Sequence, residues 1–346
     1  MQLSLPAALA ALAVALAPVT VPSAPQTLLP QTLLPQTLCT VDDPRLNELS
    51  GLAVDGDGLW AMADGGRRVQ LLRLDPDTCA VVESRTATVD PYDAEDLAVG
   101  PDGTLWVGDT GDNEQRRTTV ALIVVPPRGE PALHRLTYPD GPHDAEALLV
   151  DARGVPTVIT KSVGAAGIYQ PEGPLRGQGP TPLVHVADIT LPTSTTQGGP
   201  VGGFGTRTVT GAAATADGRV VALRTYTDAW LFPVPADGVA AALRGTPVQV
   251  PLPGEPQGEG LAFAADGTLL SGSEARGGVA GQIRAVSGAA GLVAAPEPVP
   301  VVAPTAAQPV PDAPSAWRTA AIGAGVLVVI LVLLAFAMLR HGGRPR

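Results

Sequence analysis

The chain has 346 residues, of which 45% are hydrophobic and only 3% aromatic, and it contains 40 glycines and 36 prolines. So many helix-breaking residues exclude a helical bundle and favour short strands joined by turns. The formal net charge is −11, and all 33 acidic residues lie between the two apolar ends of the chain. Such a surface repels phosphate backbones, so we expect no nucleic-acid binding.

The chain opens with an apolar segment that is typical of a signal peptide. Residues 5–24, LPAALAALAVALAPVTVPSA, carry no charge and end in small residues that suit cleavage near Ser23 and Ala24. No basic residue precedes the apolar run, so an uncleaved anchor is the alternative. We predict a signal peptide over residues 1–24 and a low-complexity leader over residues 25–38, which contains the repeat QTLLPQTLLPQTL.

Five segments between residues 39 and 290 share one pattern, in which a turn that usually contains Asp-Gly joins two apolar strands. The segments are SGLAVDGDGLWAMADGG, EDLAVGPDGTLWVGDTG, EALLVDARGVPTVITKS, TGAAATADGRVVALRTY and EGLAFAADGTLLSGSEA. Asp-Gly between apolar runs is a strong hairpin signal. Further strand-like runs follow each hairpin, which gives four strands per unit at a period of about 50 residues. This arithmetic predicts an all-β chain folded as a β-propeller, with five blades favoured and a six-bladed ring with one degenerate blade as the alternative.

The fifth unit lacks one strand, and the segment before the first hairpin can supply it. QTLCTV, residues 36–41, would pair with the last blade and close the ring, which removes its open edges. The same segment carries Cys39, and Cys79 is the only other cysteine. In an oxidising compartment such a pair most simply forms one disulfide, which would pin the ring where its ends meet; two free buried thiols are the alternative.

Acidic residues cluster at one end of the predicted hairpins. A tight turn places the start of the first strand and the end of the second strand side by side, so five hairpins around a channel bring these ends to one mouth. Directly before the first strands stand Ser50, Glu95, Glu146, Thr210 and Glu259, which we name the entry column. Further acids at the same ends are Glu48, Asp64, Asp93, Asp96, Asp109, Asp112, Asp144 and Glu274.

Carboxylates crowded in a narrow channel require a cation, shared protons or basic partners. Clusters with oxygen donors alone suit Ca²⁺, which takes about 6 to 8 oxygen ligands. The candidate metal ligands are Glu95, Asp96, Asp109, Asp112, Glu146 and Glu259. A purely structural acid network that neighbouring arginines neutralise is the alternative.

Four residues at the same mouth are candidates for ligand binding, namely Lys161, Arg224, Asp64 and His143. Lys161 is the only lysine of the chain and could hold an anionic group or act as a base, with a salt bridge to Glu146 as the alternative. His143 could serve as a general base or be a solvated loop residue. The chain has no G-x-S-x-G, H-E-x-x-H or P-loop motif, so these nucleophile, zinc and phosphate sites have no support.

The C-terminal part predicts a membrane anchor. Residues 291–317 are rich in proline and predict an extended, semi-rigid linker. Residues 318–339 predict a transmembrane helix, because all but the first of them are uncharged, with a buried core helix as the alternative. The basic tail over residues 340–346 predicts a cytoplasmic C-terminus. We therefore expect a single-pass protein of the cell membrane with the propeller, residues 39–290, on the extracytoplasmic side.

Two of the hairpins begin with related motifs, DAEDL at Asp93 and DAEAL at Asp144. On these motifs, residues 46–286 resemble bacterial secreted β-propellers, chiefly the phytase-like esterase group. They are more distantly similar to the calcium-dependent lactonase propellers of the gluconolactonase and paraoxonase kind. The resemblance implies Ca²⁺ at the mouth, held by Glu95, Asp96, Asp109, Glu146 and Glu259.

The sequence departs from the phytase pattern at two points. Phytases surround their metal with several lysines and arginines, whereas this mouth offers chiefly Lys161 and Arg224. Thr210 also replaces a carboxylate in the fourth hairpin. These differences affect the expected substrate more than the expected fold.

Three hypotheses follow for the function. The first is a membrane-anchored, extracytoplasmic propeller with a monomeric ectodomain, which binds a small-molecule or protein ligand at an acidic mouth that holds Ca²⁺. The second is a metal-dependent hydrolase of an ester, a lactone or a phosphoester. The third is a structural scaffold of the cell envelope.

Overall fold

A computed structural model describes residues 34–56, 58–293 and 332–333. The predicted signal peptide, residues 25–33 of the leader, and the basic tail lie outside these residues. So do the proposed linker, apart from its first three residues (291–293), and the predicted transmembrane segment, apart from residues 332–333. Residues 332 and 333 are helical. Within the described ranges, no helix has the length and apolar character needed to cross a membrane.

Twenty strands make up the described β-structure. The first strand, β1, spans Gln36–Val41, and sheet I follows with β2 (Leu49–Asp55), β3 (Gly58–Ala63), β4 (Val69–Leu74) and β5 (Val81–Ala87). Sheet II contains β6 (Asp96–Val99), β7 (Leu105–Asp109), β8 (Val120–Val125) and β9 (Ala132–Thr137). Sheet III contains β10 (Ala145–Val150), β11 (Pro156–Thr160), β12 (Ala166–Pro171) and β13 (Thr181–Ile189).

The remaining strands form two more sheets of the same size. Sheet IV contains β14 (Val209–Ala214), β15 (Val220–Thr225), β16 (Asp228–Pro233) and β17 (Val248–Pro251). Sheet V contains β18 (Gly258–Phe263), β19 (Leu269–Ser273) and β20 (Gly281–Val286), and it takes β1 as its fourth strand. Between residues 34 and 293, short helices lie outside the strands at Pro44–Leu46, Gly202–Thr206, Val239–Ala242 (α1) and Ala289–Leu292.

Neighbouring strands within each sheet are antiparallel, and they follow one another in the chain except for β1, which pairs with β20. The outer strands of sheets II and III also meet in a short parallel pairing, Leu136 with Thr181 and Thr137 with Pro182. The first strand of each sheet contacts the first strand of the next, in the order β2, β6, β10, β14, β18 and back to β2. The sheets therefore surround a common axis, and the predicted all-β propeller architecture is confirmed.

The hydrophobic core is divided among the interfaces between neighbouring sheets. Each of five apolar clusters combines residues from two successive sheets, and the cluster between sheets V and I completes the circle. In β15, Val221 and Leu223 face sheet III, while Val220 and Ala222 face sheet V. Because strands alternate their side chains between two faces, a sheet covered on both faces needs continuous apolar runs, and the hairpin segments supply them.

The chain ends meet in sheet V, where β1 pairs antiparallel with β20 over Gln36–Val41. Residues 36–38, which the sequence also assigned to a low-complexity leader, belong to this strand, so the leader is shorter than predicted. The predicted disulfide is confirmed, because Cys39 and Cys79 are bonded with their Cα atoms 5.6 Å apart. Cys79 lies in the turn before β5 rather than on the strand, so the bridge links sheet V to a turn of sheet I.

Candidate functional site

The start of each first strand is irregular at the position of the entry column. The strand register shifts between Leu49 and Gly51, Ala145 and Ala147, Val209 and Gly211, and Gly258 and Leu261. Sheet II follows the same plan. The Glu95 N–H donates to the Gly108 carbonyl oxygen, and Asp96 is paired with the same glycine, so two residues at the start of β6 face one residue of β7. A β-bulge leaves one residue out of the ladder and re-aims its side chain. Bulges thus release the entry column from the regular alternation.

The two hydroxyl members of the entry column fasten neighbouring sheets together. Ser50 Oγ donates to the Glu95 carbonyl oxygen at 2.6 Å, and Thr210 Oγ1 donates to the Gly258 carbonyl oxygen at 2.9 Å. Both hydroxyl groups are buried. Because each is engaged with the backbone of the next sheet, Ser50 and Thr210 have structural roles.

The three carboxylate members of the entry column are brought together at the mouth. Glu95, Glu146 and Glu259 are all buried. Burial raises the pKa of Glu95 well above its ordinary value, and the charge of Glu146 raises it further. The pKa of Glu146 is raised by burial and then by the charge of Glu259. Burial also raises the pKa of Glu259; Lys161 lowers it, and the charges of Glu274 and Glu95 raise it further. Like charges in one poorly solvated place therefore favour protonation or a bound cation.

The most compact group at the mouth consists of Glu95, Asp144 and Glu146. One carboxylate oxygen from each lies within 4.8 Å of the others, and all three residues are buried. Glu146 is 4% exposed, and its Oε2 atom has no hydrogen-bond partner. A buried carboxylate oxygen without a partner is costly, so this group fits a cation that would accept the oxygen as a ligand. We name these residues the carboxylate triad.

Lys161 is the basic partner of the carboxylate triad. Its Nζ atom pairs with Glu146 Oε1 and lies 5.8 Å from the ring centroid of Tyr226. Burial alone would lower the pKa of Lys161, but the charge of Glu146, followed by Tyr226 and Glu259, raises it overall. Lys161 therefore stays protonated, and its use as a general base is not supported.

A second group of acids extends the mouth toward sheets I and V. Burial and then Glu48 and Asp93 raise the pKa of Asp64 to about 6. Burial and then Asp64 and Glu48 raise the pKa of Glu274 to about 7, although Gln257 and Arg276 act in the opposite direction. The predicted ligand-binding residue Asp64 thus lies in an acidic surrounding that would repel an anionic ligand.

These two raised pKa values predict how stability depends on pH. Asp64 and Glu274 hold their protons more tightly in the folded than in the unfolded chain. Their contribution to the stability of the folded state is therefore greatest below pH ~4 and is lost as the pH rises through about 6 for Asp64 and about 7 for Glu274. In buffer with a chelator, the unfolding temperature should fall over this window. The slope should be shallower in the Asp64→Asn/Glu274→Gln double variant, and an unchanged slope would contradict the assignment.

Asp96 lies apart from the carboxylate triad and ties three sheets together. Its Oδ2 atom accepts the N–H groups of Leu148 at 2.7 Å and Ala212 at 3.1 Å, and its Oδ1 atom accepts the N–H of Leu97 at 2.8 Å. Burial raises the pKa of Asp96, although the hydrogen bonds from these three N–H groups lower it. Since both oxygens are used by the backbone, Asp96 is a structural residue and not the metal ligand that the sequence predicted.

Asp112 has both carboxylate oxygens engaged, and Asp109 has its Oδ1 atom engaged. Asp109 Oδ1 accepts the N–H of Asp93 at 2.9 Å and the guanidinium of Arg117 at 3.1 Å. The Asp112 oxygens accept the N–H groups at the start of the following loop, including that of Arg117 at 2.7 Å. The Asp112 N–H in turn donates to Asp144 Oδ1 at 2.8 Å. These contacts commit Asp109 and Asp112 to the surrounding loops, so the metal-ligand role that the sequence predicted for both residues is corrected.

Arg224 and His143 do not face the triad. Arg224 is fully buried and pairs with Glu255, and its Nη1 atom donates to Ser271 Oγ at 2.5 Å. His143 Nε2 lies 3.0 Å from Asp140 Oδ1 and 3.1 Å from the Tyr169 hydroxyl, within a group of aromatic rings. Both ligand-binding predictions are therefore corrected, since each side chain is committed to partners elsewhere.

Sequence reasoning missed three contributors to this region. Asp144 was assigned to the mouth but not to the metal ligands, although the motif DAEAL already contained it. Glu255 carries no repeat signal, because it lies in a loop after β17. No role was predicted for Gly111, yet a Cβ atom at this position would overlap the carboxylates of Glu95 and Asp93.

No protein-family model matches the sequence, and no curated protein matches it. Among solved structures, a luciferin-regenerating enzyme is 13% identical, with a TM-score of 0.42 and coverage of 70% of this chain and 78% of that chain. A gluconolactonase from Xanthomonas campestris is 16% identical, with a TM-score of 0.38 and coverage of 68% and 71%. A PQQ-bound aldose sugar dehydrogenase from Streptomyces coelicolor is 14% identical, with a TM-score of 0.39 and coverage of 73% and 97%.

The structural neighbours are thus gluconolactonase-like and related β-propeller proteins at low sequence identity. The resemblance to the phytase-like esterase group is not confirmed by these matches. Likeness at this level carries no information on activity, so the function must be inferred from the chain's own residues.

Proposed function

We propose that this protein is a five-bladed propeller that binds a divalent cation, Ca²⁺ by preference, at its acidic mouth and uses it to hold an oxygen-bearing ligand. The observation that carries the proposal is the clustering of buried carboxylate oxygens from Glu95, Asp144 and Glu146, of which Glu146 also has an Oε2 atom without a hydrogen-bond partner. Ca²⁺ contacts its oxygen ligands at about 2.3 to 2.6 Å, so ligand oxygens on one ion lie up to about 5 Å apart. The 4.8 Å limit of the carboxylate triad agrees with this requirement.

Charge balance supports the same proposal. Lys161 pairs with Glu146, but among the described residues no second basic side chain pairs with Glu95 or Asp144, because the Arg117 guanidinium is engaged with Asp109 and backbone carbonyls. Removing one partner from a buried charge network is costly, and a divalent cation would supply the missing positive charge. Oxygen donors alone, with no sulfur or imidazole, favour Ca²⁺ over zinc or copper.

Hydrolysis of a neutral ester or lactone is the second candidate function. It is favoured by Glu259, which is buried next to the triad, has a raised pKa, and is oriented by Gln257 Nε2 donating to Glu259 Oε1 at 3.1 Å. A carboxyl group with a raised pKa can hold or transfer a proton near neutral pH. A bound cation would polarise the carbonyl oxygen of such a substrate. Phosphoesters are disfavoured, because one lysine faces many carboxylates.

The location of the protein is also part of the proposal. We place the propeller on the extracytoplasmic side of the cell membrane, held by a single span over residues 318–339 with a basic cytoplasmic tail. The uncharged run, the tail charge and the disulfide between Cys39 and Cys79 support this placement.

The test combines metal analysis and calorimetry with an activity panel on the purified protein. After chelation and dialysis, titration with Ca²⁺ should give one saturable site, and Mg²⁺ should bind less tightly. Esters, lactones and phosphoesters are then assayed with and without Ca²⁺. Cation binding without turnover supports the binding function, and Ca²⁺-dependent turnover of a neutral ester or lactone supports the hydrolase. Absence of saturable cation binding would overturn the proposal and leave a scaffold.

A substitution at Gly111 probes the cation site without removing a ligand. A Cβ atom at Gly111 would overlap the Glu95 and Asp93 carboxylates, which are mobile ends of side chains and can shift. We expect Gly111→Ala to weaken Ca²⁺ binding about tenfold, which corresponds to about 1.4 kcal/mol. Gly173→Ala is the matched control, because a Cβ atom there meets nothing within 4 Å. Equal affinity in both variants, measured by calorimetry, would argue against Glu95 as a ligand.

A further inference from the structure

A cavity of about 600 Å³ lies at the end of the channel opposite the acidic mouth. It is lined by the later residues of all five first strands and by the turns that follow them. From the strands, its innermost lining residues are Leu52, Leu97, Leu148, Ala212 and Leu261, each two positions after a member of the entry column. None of the entry-column residues lines it. We name this space the turn-side cavity.

The turn-side cavity is separated from the acidic mouth by Asp96. The Asp96 carboxylate accepts the N–H groups of Leu148 and Ala212, which line the inner end of the cavity, while Asp96 itself does not line it. This carboxylate therefore links the first strands of sheets II, III and IV between the two ends of the channel. A molecule in the turn-side cavity would not contact the carboxylate triad.

Small apolar side chains keep the cavity open. Alanines contribute to its wall from each of the five first strands or the turns after them, together with valines and Phe263. Ala98 and Ala214 are only partly buried, and both line the cavity while also packing against an apolar cluster between neighbouring sheets. Sites for small organic molecules are mostly apolar concavities of about 300 to 1,000 Å³, and this cavity falls in that range.

The charged residues of the lining determine which ligands suit the cavity. They are Asp55, Asp151, Arg153 and Asp237. The Arg153 guanidinium donates to Asp151 Oδ2 at 2.7 Å, so the one basic side chain of the described lining is already paired. The carboxylates of Asp55 and Asp237 remain, and an anionic head group would meet them without a basic counterpart. A neutral or cationic molecule is not repelled by these carboxylates.

We propose that the turn-side cavity is a second ligand site, which takes a hydrophobic small molecule that is neutral or carries an amine. Its occupation does not depend on a cation at the mouth, because Asp96 and the inner ends of the first strands separate the two sites. The protein thus has a polar, cation-assisted site at one end of its channel and an apolar site at the other.

The test uses a hydrophobic amine that carries a photoreactive diazirine, with labelled positions mapped by mass spectrometry on the full chain. Because labelling is mapped to residues, partition into lipid or detergent does not affect the result. Labels should fall on peptides that contain residues 97–103 and 212–218. The amine should label at least about tenfold more than a carboxylate analogue of the same size. Labelling spread evenly over the surface, or stronger labelling by the carboxylate, would overturn the proposal.

Variants that fill the cavity sharpen the test. Ala214→Phe and Ala98→Phe should each reduce mapped labelling at least about tenfold, while Ala80→Phe, at an exposed position outside the cavity, should leave it unchanged. Circular dichroism shows which of the two filling variants is folded. One folded variant is enough for the test, and for this reason two are made. Glu146→Gln should also leave labelling unchanged, which separates this site from the proposed cation site. Unchanged labelling in a folded filling variant would contradict the proposal.

Discussion

Replacing Glu146 with glutamine is expected to weaken Ca²⁺ binding at least about 100-fold, which corresponds to about 2.7 kcal/mol. Glutamine keeps the size of the side chain but loses the charge and one of the two carboxylate oxygens. The Oε2 atom of Glu146 is buried without a hydrogen-bond partner, and one carboxylate oxygen of Glu146 lies within 4.8 Å of oxygens of Glu95 and Asp144. Calorimetric titration of the chelated protein measures this change directly.

The same variant should keep its fold in the absence of Ca²⁺. Glu146 raises the pKa of Glu95 through like-charge repulsion, so removing its charge relieves that repulsion. Lys161 retains the nearby charge of Glu259, so it does not lose every partner. The unfolding temperature without Ca²⁺ should therefore stay within a few degrees of the wild-type value.

Ca²⁺ at 100 times its dissociation constant should stabilise the wild-type protein by about 2.7 kcal/mol, and this gain should vanish in Glu146→Gln. Glu130→Gln is the matched control, because this glutamate is exposed and lies away from the mouth. Wild-type Ca²⁺ affinity in Glu146→Gln would remove Glu146 from the cation site. Loss of affinity in the Glu130 variant would show that general surface charge, and not the triad, binds the ion.

Replacing Arg224 with methionine is expected to lower the free energy of unfolding by about 3 to 5 kcal/mol. Arg224 is fully buried and pairs with Glu255, which is also buried. Methionine fills part of the space but leaves Glu255 with the Ser271 hydroxyl, which donates to its Oε1 atom at 2.6 Å, and a longer contact of 3.6 Å to Arg284 as its one remaining basic neighbour among the described ion pairs. The cost therefore comes mainly from a buried carboxylate that has lost its main counter-charge. Urea denaturation followed by circular dichroism measures the change.

The Arg224→Met/Glu255→Gln double variant should recover more than half of this loss, because it removes both charges of the pair. Arg219→Met is the control for loss of an ion pair alone. Its partner is Asp217, and the two side chains are 72% and 51% exposed, so the change should be within about 1 kcal/mol. If the double variant is as unstable as the two single changes added together, the loss arises from packing and not from the unpaired charge.

Much of the fold could be predicted from the sequence because its signals are local. Each Asp-Gly turn joins two apolar runs within one hairpin, so the five hairpins and their spacing can be recognised without any long-range contact. The closing strand was predicted by counting strands, and β1 pairs with β20 over the predicted residues. The disulfide followed from there being only two cysteines, and the bond between Cys39 and Cys79 is present.

The candidate site was predicted only in outline. The entry column placed Glu95, Glu146 and Glu259 at one mouth, and the structure brings their charges into mutual influence. Asp96, Asp109 and Arg224 look equally available in the sequence, yet their partners are Leu148, Asp93 and Glu255, respectively. These partners are distant in sequence or are backbone groups, so no pattern of residues in the sequence predicts them.

The sequence by itself determined that the chain is a repeated, turn-rich β-protein with acids at one end of its hairpins, because turn chemistry and strand alternation act over a few neighbouring residues. Only the tertiary structure decided which acids share a site and which serve the backbone. The physical reason is that a bulge of one residue re-aims a whole side chain, and that burial and hydrogen bonding depend on which other sheet comes to lie beside it. Glu146 and Asp96 are both acidic residues of first strands, and their different surroundings leave one with an unpartnered oxygen and the other fully bonded.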